Sequence, residues 1–542
     1  MRFDLAYLGQ SEIKSIAGGV ALSFAPNLTR SQVFFDGSLR HPVRFREAIS
    51  ALHAVVVGDL RIQPRDRSAW LAWKAEQIRS DAALRQRLVA EGQQKLLEAT
   101  AQVPPDLELQ FYRQHGLYWQ KRVQWANELS REDPELFRHL VPCDPVVTVA
   151  DDVVFFECFS KDESSYGLLT VNRDAFGGGD GGRGTTNVDY SLGLYSHFQT
   201  LRTYRPTRLQ VDPTGFEVKV EGRGDYREQK IDLPASWLRG FGQIGAATCL
   251  PTRAVPLSVE VVHGLLAWLK RNREKTGPRA LRFELKPGHA PEVVIEPWDV
   301  RLTSHGTRYA GPRAETIKVW GRRRLMALAR VLPLAEGFDV HLLGSGLPSI
   351  WVARMGEMSF QLALSGWTAN DWSGGARLDL LAGSGQVSSS AVARLEKALV
   401  VTPAATRAQI EAAVPVEQLG GALHQLAQEG QVIYDFAAAR YRHRSVMPAA
   451  LTPSVLGLES EEVVEGRRLH RSGAVEIGRE LSLDRNRLSV ARVAGTRCEA
   501  LVDPDGVLTR ARCTCKFFHA HCLRSGPCRH LLALRLQVEG MV

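Results

Sequence analysis

The stretch that most constrains this chain lies near its end. Cys513 and Cys515 are separated by one residue; after twelve more residues come Cys528 and His530, again one residue apart. Five of the eight cysteines fall in the last forty-five residues. Three thiolates and one imidazole form the donor set of a tetrahedral zinc site. A Cys-x-Cys pair points both sulfurs to one side where the chain turns. Pro527 suits a helix entry and places Cys528 and His530 in the first turn. Leu531, Leu532, Leu534 and Leu536 then give the helix an apolar face, with Phe517 and Phe518 to pack beneath it. Four protein ligands leave no open coordination position, so the expected metal is a single structural Zn²⁺.

The competing reading is a buried cluster of reduced cysteines, or a disulfide pair. Cys143, Cys158 and Cys249 are scattered, and the N-terminus lacks the apolar region of a secretory leader, so a cytoplasmic protein with reduced thiols is expected. Cys522 either replaces one of the four ligands or stands beside them as a free thiol. His519 and His521 read as loop residues. Upstream, residues 474–481, 487–493, 497–502 and 507–513 read as strands, the last two joined by a turn at Asp503-Pro504-Asp505-Gly506. Spacing, preceding hairpin and the Pro-Cys-x-His-Leu ending together resemble the SWIM zinc finger, over roughly residues 475–537.

With 542 residues, 44% apolar and 23% charged, the chain has room for several domains and the composition of a globular protein. No apolar run approaches the ~18 residues of a membrane helix, so no membrane partner is expected. The net charge of +9 is concentrated: residues 466–535 hold fourteen Lys and Arg against six Asp and Glu. That surplus suits phosphates or an acidic protein, although three thiolates on one Zn²⁺ also leave about −1 for nearby arginines to offset.

Multidomain α+β architecture is expected. Residues 1–145 read as an α+β region: strands at 30–36 and 54–62, a short helix at 45–52, then a long helical pair at 68–102 and 108–129. Residues 146–250 read as strand-rich, with Val153-Val154-Phe155-Phe156 as core strand. The glycine-rich run Phe176 to Asn187 lacks the lysine and hydroxyl of a phosphate loop and reads as a mobile loop. Asp162-Glu163-Ser164-Ser165 lacks the third position of a von Willebrand A metal site. Residues 251–380 read as a further α+β domain, with a helix at 256–271 and another at 322–331. The arginines Arg322, Arg323 and Arg324 open the latter, where the helix dipole disfavours them; a solvated cluster, or a contact with an anion or an acidic partner, is expected. Residues 388–446 hold three short helices and a hairpin, a pattern similar to a winged helix-turn-helix, with Thr406 as an N-cap. The third helix, residues 415–429, has no Arg or Lys, which speaks against base reading. Residues 466–542 form the finger.

No catalytic motif is present: no His-Glu-x-x-His, no Gly-x-Ser-x-Gly and no intact phosphate loop. The expectation is a non-enzyme. The segments Arg183 to Asp189, Leu233-Pro234…Trp237…Gly240-Phe241 and Trp367…Trp372, together with the terminal finger, resemble the large bacterial SWIM proteins that accompany MoxR-type AAA+ ATPases and von Willebrand A proteins. That resemblance implies an adaptor or target-recognition protein that binds such protein partners. The alternative is a nucleic-acid-binding protein. Its contacts would be the wing residues Arg440, Arg442 and Arg444 with Arg510, Arg512, Lys516, Arg524, Arg529 and Arg535 of the finger.

Overall fold

The computed structural model describes residues 12–16, 19–24, 34–58, 113, 145–187, 198–199, 201–204, 206–211, 235–273, 279–343, 348–366, 372, 387–446, 451, 461–483, 486–502, 508–523 and 526–539. The chain divides into two units, residues 1–58 with 142–542, and residues 59–141. Of the second unit only Arg113 is described, so the expected helical pair lies outside the described residues.

In chain order the first unit begins with β1 (Glu12–Ile16), β2 (Gly19–Phe24), β3 (Phe35–Leu39) and α1 (Pro42–Val56). β4 (Val146–Val149), β5 (Val153–Phe159), β6 (Ser165–Asn172), β7 (Phe176–Gly181), β8 (Gly184–Asn187) and β9 (Thr207–Val211) come next. Then come α2 (Ala235–Thr248), β10 (Thr252–Leu257), α3 (Val259–Arg271), β11 (Leu281–Leu285), β12 (Glu292–Ile295), β13 (Val300–Thr303) and β14 (Glu315–Val319). A 3-10 helix at Arg322–Arg330 leads into β15 (Gly337–Leu343), β16 (Ser349–Met355) and β17 (Met358–Leu364).

The centre is an eight-stranded antiparallel sheet in the order β10-β15-β16-β17-β6-β5-β4-β8. β6 and β17 pair residue for residue, from Met358↔Val171 to Leu364↔Ser165. The boundary expected at residue 250 therefore falls inside one sheet, because strands from either side of it complete each other's hydrogen bonds. A five-stranded sheet, β1-β2-β9-β3-β7, and a four-stranded sheet, β13-β12-β11-β14, flank it in sequence.

Both faces of the central sheet are covered. Val154, Phe156 and Cys158 of β5 join one core with α1 and α3, while Val153, Phe155 and Phe159 join another with α2. Burial on two sides explains why this strand reads as a continuous apolar run rather than an alternation. Ala150 to Asp152 turn the chain between β4 and β5.

Two other expectations are overturned. Residues 54–56 finish α1 instead of starting a strand: Phe45, Ile49, Leu52, Val55 and Val56 fall on one helical face and bury it against the sheet. Packing of that face outweighs the β preference of the valines. The glycine-rich run forms the edge strands β7 and β8, and backbone pairing needs no side chain; Ser38 pairs Gly177 and Val149 pairs Gly184.

Residues 387–446 hold α4 (Ser389–Val401), the two-residue β18 (Ala404–Ala405), α5 (Arg407–Glu411), α6 (Val416–Gln428), β19 (Val432–Asp435) and β20 (Arg440–His443). Thr406 caps α5 in a capping box with Gln409. The strands form a small sheet, β18-β20-β19. α6 rests on α2 through glycines: a Cβ at Gly242 would sit 2.9 Å from the Gln428 carbonyl oxygen, and one at Gly245 2.8 Å from that of Ala427. α6 is thus a packing helix on that side. No helix among the described residues is long and apolar enough to cross a membrane.

Candidate metal centre

The C-terminal module starts with α7 (Glu461–Arg471), before the expected boundary at 466. Four antiparallel strands come next: β21 (Val475–Leu483), β22 (Asn486–Val493), β23 (Thr496–Val502) and β24 (Leu508–Cys513). Two helices close the chain, α8 (Lys516–His521) and α9 (Arg529–Glu539). All four strands fall where the alternation of residues places them.

The ends of these elements converge. β24 delivers Cys513, buried, directly opposite Cys498 of β23. The Thr514 amide donates to the Arg497 carbonyl at 3.2 Å and ends the ladder. Cys515 is the N-cap of α8, and its sulfur accepts the Phe518 amide at 3.3 Å. Cys528 stands at the entry to α9, its carbonyl accepting the Leu532 amide at 3.0 Å, with His530 in the first turn. Phe517 and Phe518 are half-buried and pack against the same core as Leu531 and Leu534.

The ligand atoms of Cys513, Cys515, Cys528 and His530 all lie within 4.8 Å of one another. Cys513 Sγ and His530 Nδ1 are 3.8 Å apart. With Zn–S near 2.3 Å and Zn–N near 2.0 Å, a regular tetrahedron has S···S edges of about 3.8 Å and S···N edges of about 3.6 Å. The observed spacing fits that figure, and three sulfurs with one imidazole fit a borderline-soft divalent ion. The set is closed, so a bound zinc here has a structural role: it ties the end of β24 to the start of α9. The thiols also oppose one another electrostatically. Cys513 is held well below the usual thiol range by hydrogen bonding from Cys528 and His530. Cys528 is raised by that same bond and by burial, and Cys515 by burial. One thiolate forms readily and the next ones resist, which a divalent cation reverses.

Cys522 lies outside this constellation, at the end of α8 with φ of 50°. It lines a groove of about 430 Å³ with Arg497, Arg512, Thr514, Phe518 and His519. His519 and His521 belong to α8 rather than to a loop, with the His521 ring 4.8 Å from that of Phe517.

Most of the arginines expected at a phosphate surface are engaged inside the protein. Arg444 is fully buried and ion-pairs with Glu157 of β5, which also accepts the Tyr166 hydroxyl at 2.5 Å. Arg442 is buried between Asp435 at 2.7 Å and Asp152 at 2.9 Å. Arg440 donates to the Ala404 carbonyl at 3.1 Å. Arg510 pairs with Glu315 at 2.8 Å, and Arg529 with Glu461 and Glu462. Arg535 is buried. Arg512 and Lys516 are exposed without an ion-pair partner among the described residues, and Arg524 lies outside those residues. The alternation of β20 gave no warning of this: it sets Tyr441 on one face and Arg440 and Arg442 on the other, and both Tyr441 and Arg442 are buried.

The arginines at 322–324 are not a solvated cluster either. Arg322 is buried and donates to the carbonyls of Ala280, at 2.9 Å, and Glu296. Arg323 donates to the carbonyls of Leu269 and Asn272, so it caps the C-terminus of α3. Arg324 pairs with buried Asp162 at 3.0 Å. Asp162 in turn accepts from the hydroxyls of Ser160 and Ser164, which gives the Asp-Glu-Ser-Ser run a structural role.

Comparison with known families matches the SWIM zinc finger at residues 500–538, the stretch that holds all four donors. No curated protein matches the chain. Among solved structures, proliferating cellular nuclear antigen from Entamoeba histolytica is similar at 15% identity over 41% of this chain and 89% of that one. Its TM-score of 0.29 is too low to establish a shared fold.

Proposed function

We propose that this chain is a non-enzymatic docking protein whose zinc-bound C-terminal module binds a protein partner. The observation that carries the reading is the internal engagement of the cations. Arg442, Arg444, Arg510 and Arg529 hold modules together through carboxylates of this same chain. The predicted reading helix, α6, carries neither Arg nor Lys and packs on α2. What remains around the finger is a groove with Phe518 in its wall, the Arg497–Glu499 ion pair (3.0 Å) along one side and Arg512, which has no ion-pair partner among the described residues, at its rim. An apolar anchor with the Arg512 cation at its edge suits an acidic protein segment that pairs with Arg512. The resemblance to bacterial SWIM proteins makes an AAA+ ATPase of the MoxR type, or a von Willebrand A protein, the partner to look for.

The nucleic-acid reading retains one supporting feature. Arg492 and Arg497 face each other across β22 and β23, near Arg512. Like charges directly opposed on a sheet are unfavourable; Glu499, 3.0 Å from Arg497, offsets one of them, and a phosphate could receive Arg492 and Arg512.

Affinity purification of the tagged full-length protein from its own cells, with and without nuclease, separates the two readings. A protein partner that survives nuclease and is lost in an Arg497→Glu/Arg512→Glu variant supports docking. Partners that vanish with nuclease, and duplex binding that weakens with a log–log salt slope of about −0.9 per phosphate contacted, refute it.

A further inference from the structure

Two of the four donors, Cys528 and His530, ride on the first turn of α9, so the setting of that turn sets the centre. The N–H groups of a helix's first turn have no partner within the helix. Here the Arg529 amide, between the two donors in sequence, donates to Glu462 Oε2 at 2.6 Å. The other oxygen of the same carboxylate takes Arg529 Nε at 3.0 Å and Nη2 at 2.5 Å. Glu461 accepts from Arg529 Nη2 at 3.2 Å. One turn further along α7, Gly466 lets the two helices touch: a Cβ there would lie 2.8 Å from Leu532 Cβ and 3.1 Å from the Arg529 carbonyl oxygen. At the far end of α9, Arg487 Nη2 donates to the Val538 carbonyl at 3.1 Å.

We propose that Glu462 is a positioning residue of the metal centre. It lies outside residues 500–538, more than sixty positions before the donors it serves. Its carboxylate caps α9 from a neighbouring helix, where the dipole favours negative charge. By fixing the Arg529 backbone, it holds Cys528 Sγ and His530 Nδ1 toward Cys513 and Cys515. Groups that orient metal ligands in this way typically alter metal affinity by about 10–100-fold. α7 is therefore part of the zinc module.

The test uses the full-length protein loaded with Zn²⁺ and follows release to a chromogenic chelator, together with the absorption spectrum after Co²⁺ substitution. Glu462→Ala is expected to release zinc about tenfold faster or more and to perturb the tetrahedral cobalt bands. Glu462→Gln keeps an oxygen acceptor for the Arg529 amide and is expected to stay within about threefold of wild type. Arg529→Leu, which retains the backbone donor, should resemble Glu462→Gln. Gly466→Val, which pushes α7 away while leaving Glu462 chemically intact, should follow Glu462→Ala and serves if the latter misfolds. Unchanged release and spectrum in Glu462→Ala and Gly466→Val overturn the proposal. Equal acceleration in Glu462→Gln also overturns it, because the backbone cap would then be irrelevant. A wild-type protein that takes up neither metal overturns the centre itself.

Discussion

Replacing Arg444 by Met removes one half of an ion pair whose side chains are both 0% exposed. Glu157 would be left with no cation beside it, in a site walled by Phe241 and Tyr166. Breaking a fully buried pair this way costs about 3–5 kcal/mol. Glu157→Gln, which strands the guanidinium, belongs in the same range. The double variant carries no charge at all. Its new amide carbonyl still accepts from Tyr166, whose phenol burial keeps protonated. It should therefore recover to within about 1 kcal/mol of wild type, as paired removal of buried charges does elsewhere. A chain of several modules does not unfold in one step, so the readout is native-state hydrogen exchange of β5 and α2 amides by mass spectrometry. At about 1.4 kcal/mol per decade, each single variant should lose some two to three and a half decades of protection there. Single effects that simply add in the double variant, or a silent Arg444→Met, would refute the buried pair. They would return Arg444 to the surface role that its place in the hairpin suggested.

Purified protein should carry about one zinc per chain, and Cys513→Ser or His530→Ala should release it, measured by elemental analysis. Cys522→Ser should keep it; loss of metal in that variant would make Cys522 a ligand. Removing zinc with a chelator should abolish protection of α9 amides while leaving β5 and β6 protected, since the metal joins β24 to α9 and not to the central sheet. Burial lowers His341 and His424 to about 4, below the 6.5 of an exposed imidazole. The unfolded chain therefore binds these protons first, and stability present above pH 6.5 should fall as pH drops toward 4, by roughly 3 kcal/mol per histidine at most. His341→Gln should flatten that acid limb, read as native-state hydrogen-exchange protection of β15 amides between pH 4 and 8 after correction for the intrinsic exchange rate.

The sequence by itself determined the local parts. Cys513, Cys515, Cys528 and His530 were legible because a metal site needs particular donors at short spacings, and both pairs are local. The four strands of the finger, α4 to α6 and the Thr406 cap came from periodicity and capping chemistry, which act over a few residues. Only tertiary structure decided where the charges went. Arg444 meets Glu157 across 287 positions, Arg324 meets Asp162 across 162, and Arg529 meets Glu462 across 67. A basic residue has the same local signature whether it faces water or a distant carboxylate. Tertiary structure also turned residues 54–56 into helix and the glycine run into edge strands, because burial of a whole face and completion of a sheet's hydrogen bonds outweigh the preferences of single residues. The eight-stranded sheet crosses the boundary drawn at residue 250 for the same reason: strand pairing is satisfied in space, between segments that nothing in the local sequence identifies as neighbours.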